Sequence, residues 1–540
     1  MLRMTTELPT SAAPTTATRV KDAAAKVKGL RSFTGPHRIL HLTWFAFFLS
    51  FIVWFNFAPF SKDIGDWFHL SKGELVTLGL CNVALTVPAR IFIGMALDRF
   101  GPRRTFSAIL IYSVIPCTMF AFANSFTMLI VSRLLVGIVG AGFVVGIRMV
   151  SEWFPPKDLG TAEGVYGGWG NFGAAAAAII LPIVAGVVGG PTGWRWAIAG
   201  TGMIAALYGT YYLTAVTDTP EGVTYVKPRR LGAIEVTSRG AVFGLAALTV
   251  PVFGILAVIV WRVWTVNVLS TPAMVVAMVA VAVLLATQLA AVFRVNGPAL
   301  RDEYPVEDRY PLTSVAALAL AYFCTFGSEI AVVSMLPTFF SDTWGLSTGA
   351  AGFAAGSFAF LNIVTRPGGG LLSDLLGSRR TTLIVMLGGL SAGFVVMATL
   401  GSAWPVALAI LASMLCSVFG QAGNGAVYAI VPLVKKRVSG QVSGLAGAYG
   451  NIGGIVFLTA FLYVSPRVFF LLIAGASILS MFVSRLWLAE PKGSFAAELQ
   501  TDAPATLAAD PVDLTMDAAL AAELDDLDDL DDLDATPANA

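Results

Sequence analysis

The chain has 540 residues, of which 56% are hydrophobic and only 12% charged. Soluble globular proteins carry about 25% charged residues, so with a mean hydropathy of +0.77 this composition cannot build a water-facing surface. A disordered chain, a disulfide scaffold and a nucleic-acid binder are excluded together.

The net charge of +1 hides an uneven balance. From Phe495 onward there are 13 acidic residues and no Lys or Arg, which leaves 34 basic and 20 acidic residues in the body. A basic body with an acidic appendix suits a membrane protein with a solvated tail. Cys81, Cys117, Cys324 and Cys416 all fall in apolar runs, and His37, His41 and His69 lack ligand spacing. Neither a disulfide framework nor a metal site is expected.

In chain order, residues 1–38 are rich in Ser, Thr and Ala with scattered bases, and read as a disordered tail. A helix needs roughly 20 apolar residues to cross a bilayer core. The chain holds 14 such runs. Spans 1 to 6 are predicted at 39–60, 74–97, 104–124, 126–150, 164–188 and 194–217, forming one six-helix bundle over 39–217. Residues 218–311 are linkers around an extra, uncharged pair of runs at 240–261 and 272–293, read as a peripheral hairpin. Spans 7 to 12 are predicted at 312–339, 347–373, 380–401, 404–432, 440–464 and 466–489, a second bundle over 312–489. Residues 490–540 form the acidic tail, expected to be disordered, with docking to an unidentified basic partner as the sharper alternative. The expected class is an all-α integral membrane protein, since only helices or closed barrels satisfy backbone groups in lipid.

With both termini cytoplasmic, the cytoplasmic segments hold 24 basic residues and the external loops only Lys62, Lys72, Arg195, Arg262 and Arg467. That asymmetry sets the orientation. The two bundles also repeat each other. Arg90, Gly94, Asp98, Arg103 and Arg104 recur as Arg366, Gly370, Asp374, Arg379 and Arg380 at an offset of 276. Glycine-studded segments around Asn171 and Asn451 repeat at an offset of 280. Paired signatures of this kind indicate a two-fold transporter with its binding site between the halves, near the midplane.

Here a family resemblance becomes specific. Gly94-x3-Asp98-Arg99-x-Gly101-x-Arg103-Arg104 resembles the loop signature of the major facilitator superfamily, and Arg133-x3-Gly137-x2-Gly140 resembles its second motif. The Asn171 and Asn451 segments, with Gly423-Asn424-Gly425-Ala426, resemble the signatures of the nitrate/nitrite porter family within it. The resemblance spans roughly 39–490 and implies the major facilitator fold, two pseudo-symmetric six-helix bundles, here with an extra two-helix insertion.

Of the arginines within spans, Arg148 has Glu152 one turn away and reads as a structural pair, Arg485 can snorkel, and Arg133 is ambiguous. Arg90 and Arg366 stand eight residues before their loop aspartates, about 12 Å along the helix. That is too deep for easy escape to water, and neither has an acid one turn away. A guanidinium is planar, permanently charged and presents a fork of donors, so two opposed forks suit a small flat oxyanion. The resemblance implies that Arg90 and Arg366 bind nitrate, and nitrite fits the same chemistry. It also implies that Phe143, Tyr322 and Phe326 wall the substrate, although the family's Asn before that Phe is Gly142 here. Asn171 and Asn451 are expected at the site or hydrogen-bonded across helices.

Asp98, Arg99, Arg103, Arg104, Asp374, Arg379 and Arg380 are expected to gate the cytoplasmic face through ion pairs between the halves. Glu329 is read as the only acid in a span interior, which makes it the candidate for proton coupling. Its surroundings resemble the proton-symporting branch.

No Walker loop, Ser/His/Asp arrangement or metal cluster is present, so no catalytic residue and no cofactor is expected. The expected function is nitrate:proton symport across the plasma membrane by a monomer, with membrane lipid and protons as its other partners. A nitrate/nitrite antiporter, a carrier of another small anion and a membrane anion sensor remain as alternatives.

Overall fold

The computed structural model describes residues 24–190, 192–227, 232–305, 309–346, 348–461 and 463–491. Twelve of its helices are long and apolar enough to cross a membrane. The predicted spans 6 and 8 are helical too, as Gly193–Ala215 and as Thr348–Phe360 with Asn362–Leu375. The sequence-based count of 14 crossings is therefore looser than the helical architecture it describes.

Each half packs as a six-helix bundle. Several spans are broken where the sequence breaks them. Span 2 comprises Lys72–Ala84 and Thr86–Phe100, and the first segment opens on a capping box between Ser71 and Glu74. Span 4 is Phe126–Val139, a 3-10 turn at Gly140–Gly142, and Phe143–Trp153. Span 7 is Leu312–Trp344, span 10 is Val406–Tyr428 and span 11 is Ser439–Phe461. Lipid-facing side chains remain exposed, such as Val187, Phe353 and Leu486, as expected where the solvent is hydrocarbon.

Span 5 runs Pro156–Val188, starting eight residues before the predicted Gly164. Pro155 is extended and Pro156 takes the first helical turn, where its missing N–H costs nothing. The longer span corrects one expectation: Glu163 lies inside it, so Glu329 is not the sole acid in a span interior.

The halves meet through two matching crossings, span 2 against span 11 and span 5 against span 8. Both are possible only because glycine faces backbone. A Cβ on Gly94 would stand 2.6 Å from the Gly440 carbonyl oxygen, and one on Gly370 would overlap the Gly160 carbonyl. Small residues let helix axes approach in just this way in lipid.

The extra pair forms helices Arg239–Thr265 and Thr271–Val295. The first leans on the second and on spans 2, 7 and 11, whereas only 11% of the second helix's apolar window is buried. It is a peripheral hairpin.

The described parts of the linkers pack against the bundles. Buried Glu235 accepts hydrogen bonds from Tyr304 Oη at 2.6 Å and Arg437 at 2.8 Å, and Tyr225 Oη donates to the Leu97 carbonyl at 2.9 Å.

Part of the expected N-terminal tail is also ordered. Residues 24–29 are helical, and Lys26 pairs with Asp158 at 3.2 Å and Asp374 at 3.3 Å. The remainder of that tail, and the acidic tail from 492 on, lie outside the described residues.

Candidate functional site

Arg90 and Arg366 point inward to the same place. Their side chains are 0% and 1% exposed, and their guanidinium carbons lie 5.5 and 5.2 Å from the centroid of one ring, Phe143. Arg90 also stands 5.5 Å from the Phe326 ring. One Arg90 N–H donates to the Gly447 carbonyl at 2.6 Å, and one Arg366 N–H donates to Tyr322 Oη at 3.2 Å. Neither forms a carboxylate ion pair among the described residues. Arg90 Nε and Nη2 and Arg366 Nη1 are buried with no hydrogen-bond partner there. A buried charge short of hydrogen-bond partners is costly, and an anion placed here would offset that cost.

Aromatic rings shape the cleft. Phe143 and Tyr322 are parallel to within 2°, with centroids 6.3 Å apart, and Tyr322 stacks on Phe326 at 4.9 Å. Tyr428 stands perpendicular to Phe143 at 4.7 Å and to Tyr322 at 4.9 Å, closing one side. Sequence reasoning missed Tyr428, because an aromatic in an apolar span carries no signal of its own.

Phe143 is aimed by the 3-10 turn before it. Tyr166 Oη donates to the Phe143 carbonyl at 2.8 Å, tying span 5 to that turn. At Gly142, a Cβ would come 3.0 Å from the Phe106 ring.

Asn171 and Asn451 make no hydrogen bond across helices among the described residues, contrary to one expected alternative. Their amide nitrogens and oxygens are buried and without partners there. Each lies one helical turn beyond the glycine that touches an arginine, Gly167 against Arg366 and Gly447 against Arg90.

Glu329 accepts from Asn362 Nδ2 at 2.5 Å and Asn424 Nδ2 at 2.8 Å. Neither asparagine was foreseen as its partner. Glu329 forms no ion pair with an arginine among the described residues.

Both loop aspartates accept backbone amides of the opposite half. Asp98 accepts the backbone N–H groups of Gly440 at 3.2 Å and Gln441 at 3.0 Å, in the first turn of span 11. Free amides and the positive end of the helix dipole favour a carboxylate there. Asp374 does the same for span 5, accepting from Gly160 at 3.1 Å, Thr161 N–H at 2.8 Å and Thr161 Oγ1 at 2.7 Å. It also pairs with Arg379 at 2.9 Å.

The expected network of gating arginines is corrected in part. Arg379 crosses the halves by donating to the Pro156 carbonyl at 2.6 Å. Arg380 stays within its half, near Glu490 and the Leu488 carbonyl. Arg99 lies over Phe100, the Arg103 backbone donates to Asp218, and Arg104 is exposed. Among the described residues, none of these three side chains bonds across the halves.

Arg148 pairs with Glu152 at 2.8 Å, as expected, and also reaches across the halves to Ser439 Oγ at 2.6 Å. Arg133 resolves as structural, bonded to Asn56 Oδ1 and the Trp54 carbonyl, each at 3.0 Å. No cluster of His, Cys, Asp or Glu fit for a metal occurs among the described residues.

Comparisons with known proteins identify the family. The profile of the Major Facilitator Superfamily matches residues 43–317 and 318–516. The chain is 47% identical over 519 residues to the nitrate/nitrite transporter NrtP of Picosynechococcus sp., covering 88% of this chain and 97% of that one. It is 45% identical to the protein of the same name from Nostoc punctiforme, covering 91% and 99%. A nitrite extrusion protein of Bacillus subtilis is 25% identical over 75% of this chain and 81% of its own. Among solved structures, the proton:xylose symporter XylE shares the fold, with a TM-score of 0.58 at 16% identity over 86% of this chain and 98% of that one.

Proposed function

The chain belongs to the nitrate/nitrite porter family of the major facilitator superfamily, and from that premise we propose that it carries nitrate across the plasma membrane by alternating access, as nitrate:proton symport. The observation that carries the reading is the pair of buried guanidinium groups sharing the Phe143 ring, with N–H donors left over. The anion lies between them, its oxygens taking those donors, while Phe143, Tyr322 and Phe326 exclude water and flank its flat faces. Nitrite, planar and of the same charge, is carried by the same donors. The relatives named as nitrate/nitrite transporters support this substrate class.

Alternating access follows from the two crossings. With Asp98 and Asp374 holding the amides of the opposite halves, the inner end is shut and the site faces outward. Binding draws the halves together around the anion. The inner contacts then break, and the site opens to the cytoplasm, where both termini lie. Glu329, held by Asn362 and Asn424, supplies the proton step. The pathway lies within one chain, which supports action as a monomer.

The test is a proteoliposome assay of nitrate and nitrite uptake with and without an inward proton gradient. Gradient-driven accumulation that falls at least tenfold in Glu329→Gln supports the reading. Uptake only against internal nitrite would make the chain an exchanger, and binding without flux would make it a sensor.

A further inference from the structure

Glu163 is a buried acid that this scheme leaves idle. It is 1% exposed, and both carboxylate oxygens lack a hydrogen-bond partner among the described residues. Its place is defined by its neighbours in span 5. Four residues on, a Cβ at Gly167 would stand 2.6 Å from Arg366 Nε. One residue on, a Cβ at Gly164 would meet the Arg366 carbonyl oxygen at 2.7 Å.

Span 5 rises from the inner end, so Glu163 sits about one turn, roughly 5 Å, inward of the Arg366 guanidinium. Glu329 lies on the other side, since its partner Asn362 precedes Arg366 by one turn along the inward-running span 8. One guanidinium is thus placed between two acids, an outer and an inner one.

The charged and titratable groups facing Glu163 are few. Arg366 on span 8 acts on it electrostatically, as do Tyr166 on its own span and Tyr428 on span 10. One turn inward, at Gly160, lies the Asp374–Arg379 pair.

Resting on the symport reading above, we propose that Glu163 is the inner proton-releasing group and that, once ionised, it competes with the bound anion for Arg366. A neutral Glu163 leaves the guanidinium free for nitrate. When the inner end opens, the carboxylic acid gives its proton to cytoplasmic water and becomes a carboxylate. That carboxylate draws the Arg366 fork inward, and the nitrate leaves without its second grip. The empty carrier returns with the Glu163–Arg366 pair intact. Outer protons enter at Glu329, pass through the vacated cleft to Glu163, neutralise it and release Arg366 for the next anion. One proton and one nitrate move per cycle, and charge balances at each step.

The experiment compares wild type, Glu163→Gln and Glu163→Asp in proteoliposomes, measuring nitrate binding, nitrate/nitrate exchange and accumulation driven by a proton gradient. Accumulation in Glu163→Gln is expected to fall at least tenfold and exchange to slow with it, while binding changes less than threefold. Glu163→Asp is expected to restore accumulation in large part, with a shifted pH profile.

Wild-type accumulation in Glu163→Gln overturns the proposal. So does equal loss of binding, exchange and accumulation in Glu163→Gln, or in both variants, because that pattern marks a structural role. The symport reading fails separately: in that case wild type itself shows no gradient-driven accumulation.

Discussion

The two crossings that join the halves share one plan and differ in charge. At the span 2–span 11 crossing, Arg90 donates to the Gly447 carbonyl and Asp98 holds two amides and no cation among the described residues. At the span 5–span 8 crossing, Arg366 reaches the Tyr322 hydroxyl, and Asp374 holds two amides, a hydroxyl, Arg379 and Lys26. Both interior acids, Glu163 and Glu329, flank Arg366. At the 280-residue offset, the counterpart of Glu163 is Ser443. On the proposed reading, symmetry serves the grip on a flat anion and asymmetry serves the coupling.

The sharpest way to break this comparison is to replace the forks. Arg90→Lys and Arg366→Lys each keep the charge but lose the planar donors. A hydrogen bond to a charged group contributes about 1.5–3 kcal/mol, so each variant should weaken nitrate binding by about 10- to 100-fold in a titration of purified protein. If Arg366→Lys alone is affected, Arg90 is a structural residue and the symmetric grip fails.

The inner ties should separate next. Asp374→Asn removes two cation contacts, whereas Asp98→Asn weakens only bonds to backbone amides, a capping effect of about 0.5–2 kcal/mol. Hydrogen exchange at Gly160 and Thr161 in Asp374→Asn should speed up by more than exchange at Gly440 and Gln441 in Asp98→Asn. Equal acceleration would mean that the extra cations contribute nothing.

Packing offers a third contrast. Gly370→Ala must displace the Gly160 carbonyl, and Gly94→Ala needs a smaller shift of Gly440. Overpacking costs about 1–3 kcal/mol, so both should lower the melting temperature, Gly370→Ala by more.

The smallest effect is expected from Tyr322→Phe, which removes one hydroxyl from Arg366 while keeping the ring. A net cost of about 0.5–1.5 kcal/mol corresponds to a roughly two- to tenfold weaker affinity, measured by the same titration.

Much of this architecture is legible in the sequence because bilayer physics is one-dimensional: apolar length gives spans. The depth of Arg90 and Arg366 follows from counting residues back from the loop aspartates. Other features resist that arithmetic. Glu163 was lost by setting the start of span 5 at Gly164, where the apolar run begins, while the helix itself starts at Pro156. Tyr428 and the Asn362–Glu329–Asn424 cluster depend on which helix faces which, and periodicity within a span does not specify that. The aspartates were legible at the ends of their spans, but not their partners, because backbone amides leave no mark in a sequence.

The account rests on two guanidinium groups acting on one ion, and a double-mutant cycle on nitrate binding tests that directly. Arg90→Lys, Arg366→Lys and the double variant are titrated against wild type. The account predicts strong coupling: once one fork is lost, losing the second costs at least 1 kcal/mol less than it does in wild type, on the 0.5–3 kcal/mol scale of contacting residues. Independent, additive losses would mean that the two arginines do not share an anion.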